Sequence, residues 1–244
     1  MSGHSKWSTI KRKKEKTDAQ RAKIFTKLGR EISVAVKSGG ADSGVNSRLK
    51  DIIAKAKANN MPNDNIMRCI KKAEGEQGGA NFEEIMYEGY GPKGVAVIVE
   101  ATTDNKNRTA ADMRHYFDKC GGNLGQSGCV SYMFDRKGVI IIERGEKITD
   151  DEILSDALEC GAEDITFEQE YYEVLTDAAV FSKVCDALEG RKYSFVSAEI
   201  QYIPQTTVML SDEKDVAMMN KLVELLEEND DVNSMWHNCA EEDT

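Results

Sequence analysis

The 244-residue chain has no apolar run near the roughly 18 residues a membrane-spanning helix needs, so no transmembrane segment is expected. Its basic start, MSGHSKWSTIKRKK, leads into no apolar h-region, which argues against a secretory signal. The cysteines at 69, 120, 129, 160, 185 and 239 form no CxxC pair and no regular framework, a pattern of reduced thiols in a cytoplasmic protein. Histidine occurs only at His4, His115 and His237, too scattered for a Cys/His zinc site, so no metal is expected. Walker loops, HExxH, the nucleophile elbow and the Ca²⁺ loop are all missing. Nothing in the sequence points to a cofactor, a small-molecule substrate or catalytic chemistry.

What is present is a strongly divided charge. Residues 1–76 carry 18 Lys+Arg and 8 Asp+Glu, a net of +10, and residues 77–244 carry 14 and 35, a net of −21. The overall charge of −11 hides this division. A basic element on an acidic body suggests a polyanionic partner, which here means nucleic acid. The arm concentrates the signal, with His4, Lys6, Lys11, Arg12, Lys13, Lys14 and Lys16 surrounding Trp7. Lys and Arg displace counterions from phosphates, and an indole can stack on an unpaired base.

Apolar residues at 24, 25, 28, 32, 35 and 36 fall on one helical stripe after a capping box at Thr17 and Gln20, and Gly39-Gly40 stops it. Lys23, Lys27 and Arg30 gather on the opposite face and extend the expected nucleic-acid surface. A second helix is expected over 47–59 and a third after Pro62. The break at 59–62 could mimic a helix-turn-helix, but the sequence offers no half-site geometry. The period then changes to that of strands. Residues 139–202 read β-α-β-β-α-β, the split βαβ order of a ferredoxin-like sandwich. The β-α-β patterns at 95–134 and 207–237, with strands at Val130–Phe134 and Val208–Leu210, would make a second such sandwich around it. The expected class is α+β, in three domains: 1–76 helical, 80–134 plus 205–240 ferredoxin-like and discontinuous, and 135–204 a ferredoxin-like insert.

Two motifs imitate sites. Gly89-Tyr-Gly-Pro-Lys-Gly94 matches a dinucleotide pattern by letter, but a β-like run follows it where a helix N-terminus is required, so it reads as a hairpin. Asp104, Asn105, Asn107, Arg108 and Thr109 stand together before a helix. Small phosphatases of ferredoxin-like fold use an Arg and an Asn, yet capping the helix and ordering the loop, or serving an interaction, fits these residue types better.

Gly3-His-Ser-Lys-Trp7, Tyr87-Glu-Gly-Tyr-Gly-Pro92, Thr103-Asp-Asn-Lys-Asn-Arg-Thr109 and Gly121-Gly-Asn-Leu-Gly125 together closely resemble the YebC-type family over essentially the whole chain. Lys93 stands where that family commonly has Gly, and Cys129 where Ser is usual. The resemblance implies three domains, one α/β domain inserted in another. It also implies a non-catalytic regulator of gene expression: a DNA-binding transcriptional regulator, or alternatively a ribosome-associated translational activator that binds rRNA or tRNA.

Overall fold

The computed structural model describes residues 18–75, 81–145 and 148–240. Three helices come first: α1 (Asp18–Gly39), α2 (Ser47–Ala58) and α3 (Asn63–Gly75). None would be stable alone, and they bury a common core of Leu28, Ile32, Val36, Leu49, Ile66 and Ile70. The Gln20 half of the expected capping box is exposed, while Thr17 lies outside the described residues. Asn46 joins the first two helices. Its side-chain oxygen caps α2 by accepting from Leu49 N at 3.0 Å, and its amide donates to Ala35 O at 2.9 Å and Gly40 O at 2.8 Å. One buried side chain thus satisfies orphan groups at both helix ends.

After the bundle come β1 (Glu83–Tyr90), β2 (Ala96–Thr103), α4 (Lys106–Lys119), β3 (Asn123–Leu124), β4 (Phe134–Glu143), α5 (Asp150–Glu159), β5 (Asp164–Phe167), β6 (Tyr171–Asp177), α6 (Phe181–Gly190), β7 (Phe195–Pro204), α7 (Glu213–Glu228) and β8 (Val232–His237). They build two antiparallel four-stranded sheets, ordered β3-β1-β2-β8 and β5-β6-β4-β7. The second sheet has the expected split βαβ layout, with β4 and β6 at its centre. Val139–Ile142 are buried on both faces, alternate residues facing the α5 and α6 side and the opposite side.

The α+β class is as expected, but the first sheet is assembled differently. β2, α4, β3 and β8 take the places of a split βαβ layout, while the strand between β2 and β3 is β1, from upstream of them. Val208–Leu210 is not that strand: Val208 makes one isolated bridge to Cys239, and Leu210 is buried in the core beside α7. An eight-residue hairpin closed by a tight turn, with Gly91 N donating to Val95 O at 2.7 Å, costs little loop entropy and outcompetes a three-residue run more than a hundred positions away. The Gly89–Gly94 motif is therefore a hairpin turn. Lys93 occupies its left-handed position at φ 54°, where the usual glycine would be unstrained.

The Val130–Phe134 strand is also corrected. Ser131–Met133 is a 3-10 turn, and Phe134 begins β4 of the other sheet. The buried Glu88 carboxylate accepts from Gly128 N at 2.8 Å, Val130 N at 2.9 Å and Ser131 N at 2.8 Å, taking the donors a ladder would use. Burial opposes its ionisation, but the three N–H bonds prevail and hold the carboxyl below its ordinary range. Beside it, backbone meets backbone: a Cβ on Gly122 would lie 2.2 Å from Tyr90 O, and one on Gly89 would lie 2.6 Å from Asn123 O. The two glycine motifs are one contact between β1 and β3.

Glu88→Ala orphans three backbone donors, that of Val130 buried and those of Gly128 and Ser131 part-buried, and should cost about 2 kcal/mol at neutral pH. Because the native carboxyl titrates low, the wild-type advantage is full above roughly pH 4.3 and is lost as pH falls through the native value. Denaturant unfolding of both proteins between pH 7 and pH 3 should show the two curves converging at the acid end. We also propose residues 135–204 as an excisable unit, since β4 and β7 pair at Phe134↔Pro204 and bring its ends together. Replacing 135–204 with a short Gly/Ser linker should leave a cooperative thermal transition followed by circular dichroism, whereas a non-cooperative melt contradicts the division.

Candidate nucleic-acid interface

The basic stripe of α1 faces the rest of the protein. α7 ends in Glu227 and Glu228 with no basic residue in its last turn, so its free carbonyls and negative dipole end lack an internal cation. The bundle supplies three. Lys23 donates to Glu228 O, Lys27 to Glu227 O at 3.2 Å, and Arg30 to Asp230 O at 2.9 Å. Lys23 also lies 3.4 Å from an Asp230 carboxylate oxygen, and the Arg30 guanidinium sits over the Phe82 ring at 5.3 Å. Burial, reinforced by Lys23, pushes the Lys27 ammonium down to about 8, against the opposing pull of Asp230 and Glu227. Lys23 and Lys27 thus cap α7, and Arg30 holds Asp230 and Asp231 just beyond it, so that all three cations dock the bundle. Sequence periodicity showed that the three cations share a face, but not that an acidic helix end lies opposite.

Asp231 stands one residue further on and is almost fully buried. One of its oxygens accepts from Arg30 at 2.9 Å. The other accepts from Arg108 at 2.8 Å and lies 2.8 Å from the Thr109 hydroxyl and 3.2 Å from that of Thr103. Burial would raise its pKa, but the bonds from Arg108 and Thr109 and the Arg108 charge outweigh it and keep the carboxyl below its usual range. Arg108 is further tied to Asp104 at 3.0 Å.

Asn105 caps α4 by accepting from Arg108 N at 3.1 Å, which starts the helix at Lys106, ahead of the expected Thr109. Asn107 is exposed on the first turn of α4. Asp104, Asn105, Arg108 and Thr109 therefore order the start of α4 around Asp231, with Thr109 buried and the other three exposed. Both carboxylates meet one nitrogen of the Arg108 guanidinium, whose side chain stays about half exposed (48%). Among the described residues no cluster of His, Cys, Asp and Glu could hold a metal ion, and no helix is long and apolar enough to cross a membrane.

His4, Lys6, Trp7, Lys11, Arg12, Lys13, Lys14 and Lys16 lie outside the described residues. Within the bundle, Arg48 pairs with Glu84, Lys50 with Asp186, and Lys55 with Glu31 at 3.2 Å. Burial disfavours the Lys55 charge, but Glu31, Glu199 and Glu100 around it prevail and raise its pKa. The Arg48 and Lys50 pairs also commit α2 to the body, while the Lys55 pair ties it to α1. Sequence reasoning passed over the outer face of α3, where Arg68, Lys71 and Lys72 are exposed opposite buried Ile66, Ile70 and Ala73. Their i, i+3, i+4 spacing was the signal that could have found it.

Two family models match, the TACO1/YebC protein N-terminal domain over residues 5–76 and the TACO1/YebC second and third domain over residues 82–239. A "Probable transcriptional regulatory protein" from Acetivibrio thermocellus is 61% identical over 98% of both chains. Another of the same name from Caldicellulosiruptor saccharolyticus is 57% identical over the full length of both. The crystal structure of a conserved hypothetical protein from Aquifex aeolicus superposes with a TM-score of 0.82 at 46% identity, covering 94% of this chain and 95% of that one. With both models matched, relatives this similar along their whole length and the motif residues Glu88, Gly89, Arg108 and Gly122 serving the fold as described, the chain belongs to the TACO1/YebC family.

Proposed function

We propose that this protein is a non-catalytic, nucleic-acid-binding regulator of gene expression whose N-terminal arm meets phosphates. The observation that carries the reading is the charge division, +10 over residues 1–76 against −21 over the rest, in a chain whose relatives bear the name of transcriptional regulators. Lys23, Lys27 and Arg30 contact the end of α7 and Asp231, and Lys6, Lys11, Arg12, Lys13, Lys14 and Lys16 are the arm's cations. The absence of a catalytic role is supported by Arg108, the best candidate for phosphate chemistry, being bound to Asp231 and Asp104. A single indole at Trp7 among those cations suits unpaired bases, so ribosomal RNA stands as the second reading beside DNA. The partner is thus nucleic acid in the cytoplasm, with no membrane, metal, cofactor or small-molecule substrate.

Each phosphate contact releases counterions, steepening the slope of log K against log salt by about 0.9 for duplex DNA or about 0.7 for single strands. Deleting residues 1–16 should flatten that slope by roughly 3–5 units. Trp7→Ala should weaken binding by about 1–3 kcal/mol and leave the slope unchanged, because stacking is nearly salt-independent. Salt titrations against duplex DNA and ribosomal RNA measure both effects, and an unaltered slope on removing the arm contradicts the proposal. Sedimentation of lysate with and without nuclease then separates the two partners, through co-migration with ribosomes or association with DNA alone. Purified protein should also show no turnover of an acyl phosphate, and hydrolysis abolished by Arg108→Ala would restore the enzymatic reading.

A further inference from the structure

α2 and α3 are joined by a four-residue turn whose geometry is fully determined. Asn60 takes the left-handed position at φ 59°. Its N–H donates to Lys57 O at 2.9 Å, and Met61 N donates to Ala56 O at 3.0 Å. These are the two bonds of a Schellman motif, with Asn60 in the place glycine usually fills. Met61, at the next position, is buried in the bundle core with Ala56 and pins the turn. Pro62 O then accepts from Asn65 N at 2.9 Å and Ile66 N at 3.2 Å, which opens α3. A helix, a tight pinned turn and a second helix in a three-helix core have the element order of a helix-turn-helix unit.

The second helix of this unit carries three exposed cations, Arg68, Lys71 and Lys72, between two acids, Asp64 and Glu74. Ile66, Ile70 and Ala73 turn inward, while Asp64, Met67, Arg68, Lys71 and Lys72 are exposed, Met67 by half its surface. Six cations of α1 and α2, namely Lys23, Lys27, Arg30, Arg48, Lys50 and Lys55, are held by acids or carbonyls of the chain. The ties of Lys23, Lys27, Arg30, Arg48 and Lys50 hold α1 and α2 to the body, and Arg68 and Lys71 of α3 are exposed, as is Lys57 at the end of α2. A 13-residue helix spans about 20 Å and fits the major groove of B-DNA, roughly 12 Å wide. A-form RNA has a deep, narrow major groove that side chains cannot read.

We infer that α3 is the element that enters the major groove of duplex DNA, with Arg68 and Lys71 meeting backbone phosphates. This rests on the nucleic-acid reading above and names a second contact site besides the arm. Asp64 in the first turn and Glu74 in the last, both exposed, limit how closely phosphate approaches either end and place the contact at the middle of the helix, on Arg68 and Lys71.

The test uses the full-length chain and two probes of one sequence, a 30-base-pair DNA duplex and the corresponding RNA duplex, followed by fluorescence anisotropy over a range of salt. In Arg68→Gln/Lys71→Gln the DNA slope should fall by about 2 units, roughly 0.9 for each lost contact, and affinity at low salt should drop at least tenfold. Both residues are exposed, so the thermal midpoint should not move. Lys183→Gln/Lys214→Gln, equally exposed but elsewhere, should bind as wild type. A wild-type slope in the α3 variant overturns the inference, as does a loss confined to the RNA duplex. If wild type binds neither probe and no ribosomal RNA, the nucleic-acid reading itself fails. Loss of the slope on removing the arm but not in the α3 variant overturns the α3 site alone.

Discussion

The arrangement of this protein turns on one buried carboxylate, Asp231. It follows the C-terminus of α7 and accepts from Arg30 of α1 and Arg108 of α4 on opposite oxygens. A carboxylate removed from water is costly unless paired and hydrogen-bonded, and this one is both. Its backbone carbonyl also takes the Thr102 N–H at 2.7 Å, binding the same residue to β2. The helical bundle, the first sheet and the start of α4 therefore meet at one charge. Breaking one partner away would leave a buried charge partly uncompensated, a larger penalty than any exposed ion pair carries.

Around that point the charge division acquires a second meaning. Two opposite net charges in one chain first suggest a basic element for an outside polyanion. Much of the attraction is satisfied within the molecule, where Lys23, Lys27 and Arg30 cap an acidic helix end that has no cation of its own. The exposed pairs Arg48–Glu84 and Lys50–Asp186 contribute little each, but they orient α2 over the body. The bundle is thus a positively charged domain that docks on its negative companion by one face. Arg68 and Lys71 of α3 are among the cations it leaves exposed.

The glycine motifs show the same economy of position. Gly89 and Gly122 allow backbones to approach to distances no Cβ would permit, and Glu88 between them organises residues 128–131 through three N–H bonds. These motif residues serve close packing and an internal polar network. The Thr103–Thr109 motif serves a second such network through Asp231.

The sequence by itself determined the helices, the β-α-β-β-α-β run of residues 139–202 and the hairpin at 89–94, because periodicity and turn chemistry are local. It also determined the charge division and, through four spaced motifs, the family. It did not determine which strand lies between β2 and β3. Val208–Leu210 and Phe82–Tyr87 both read as β-like, and the choice depended on loop closure and on Leu210 finding a core beside α7. Nor could it distinguish the cations of α1 from those of α3, since a helical wheel gives the angle of a side chain and not what stands across from it. Only the tertiary structure placed α7's C-terminus and Asp231 against α1, because those residues lie some 200 positions away and electrostatic pairing acts across space rather than along the chain.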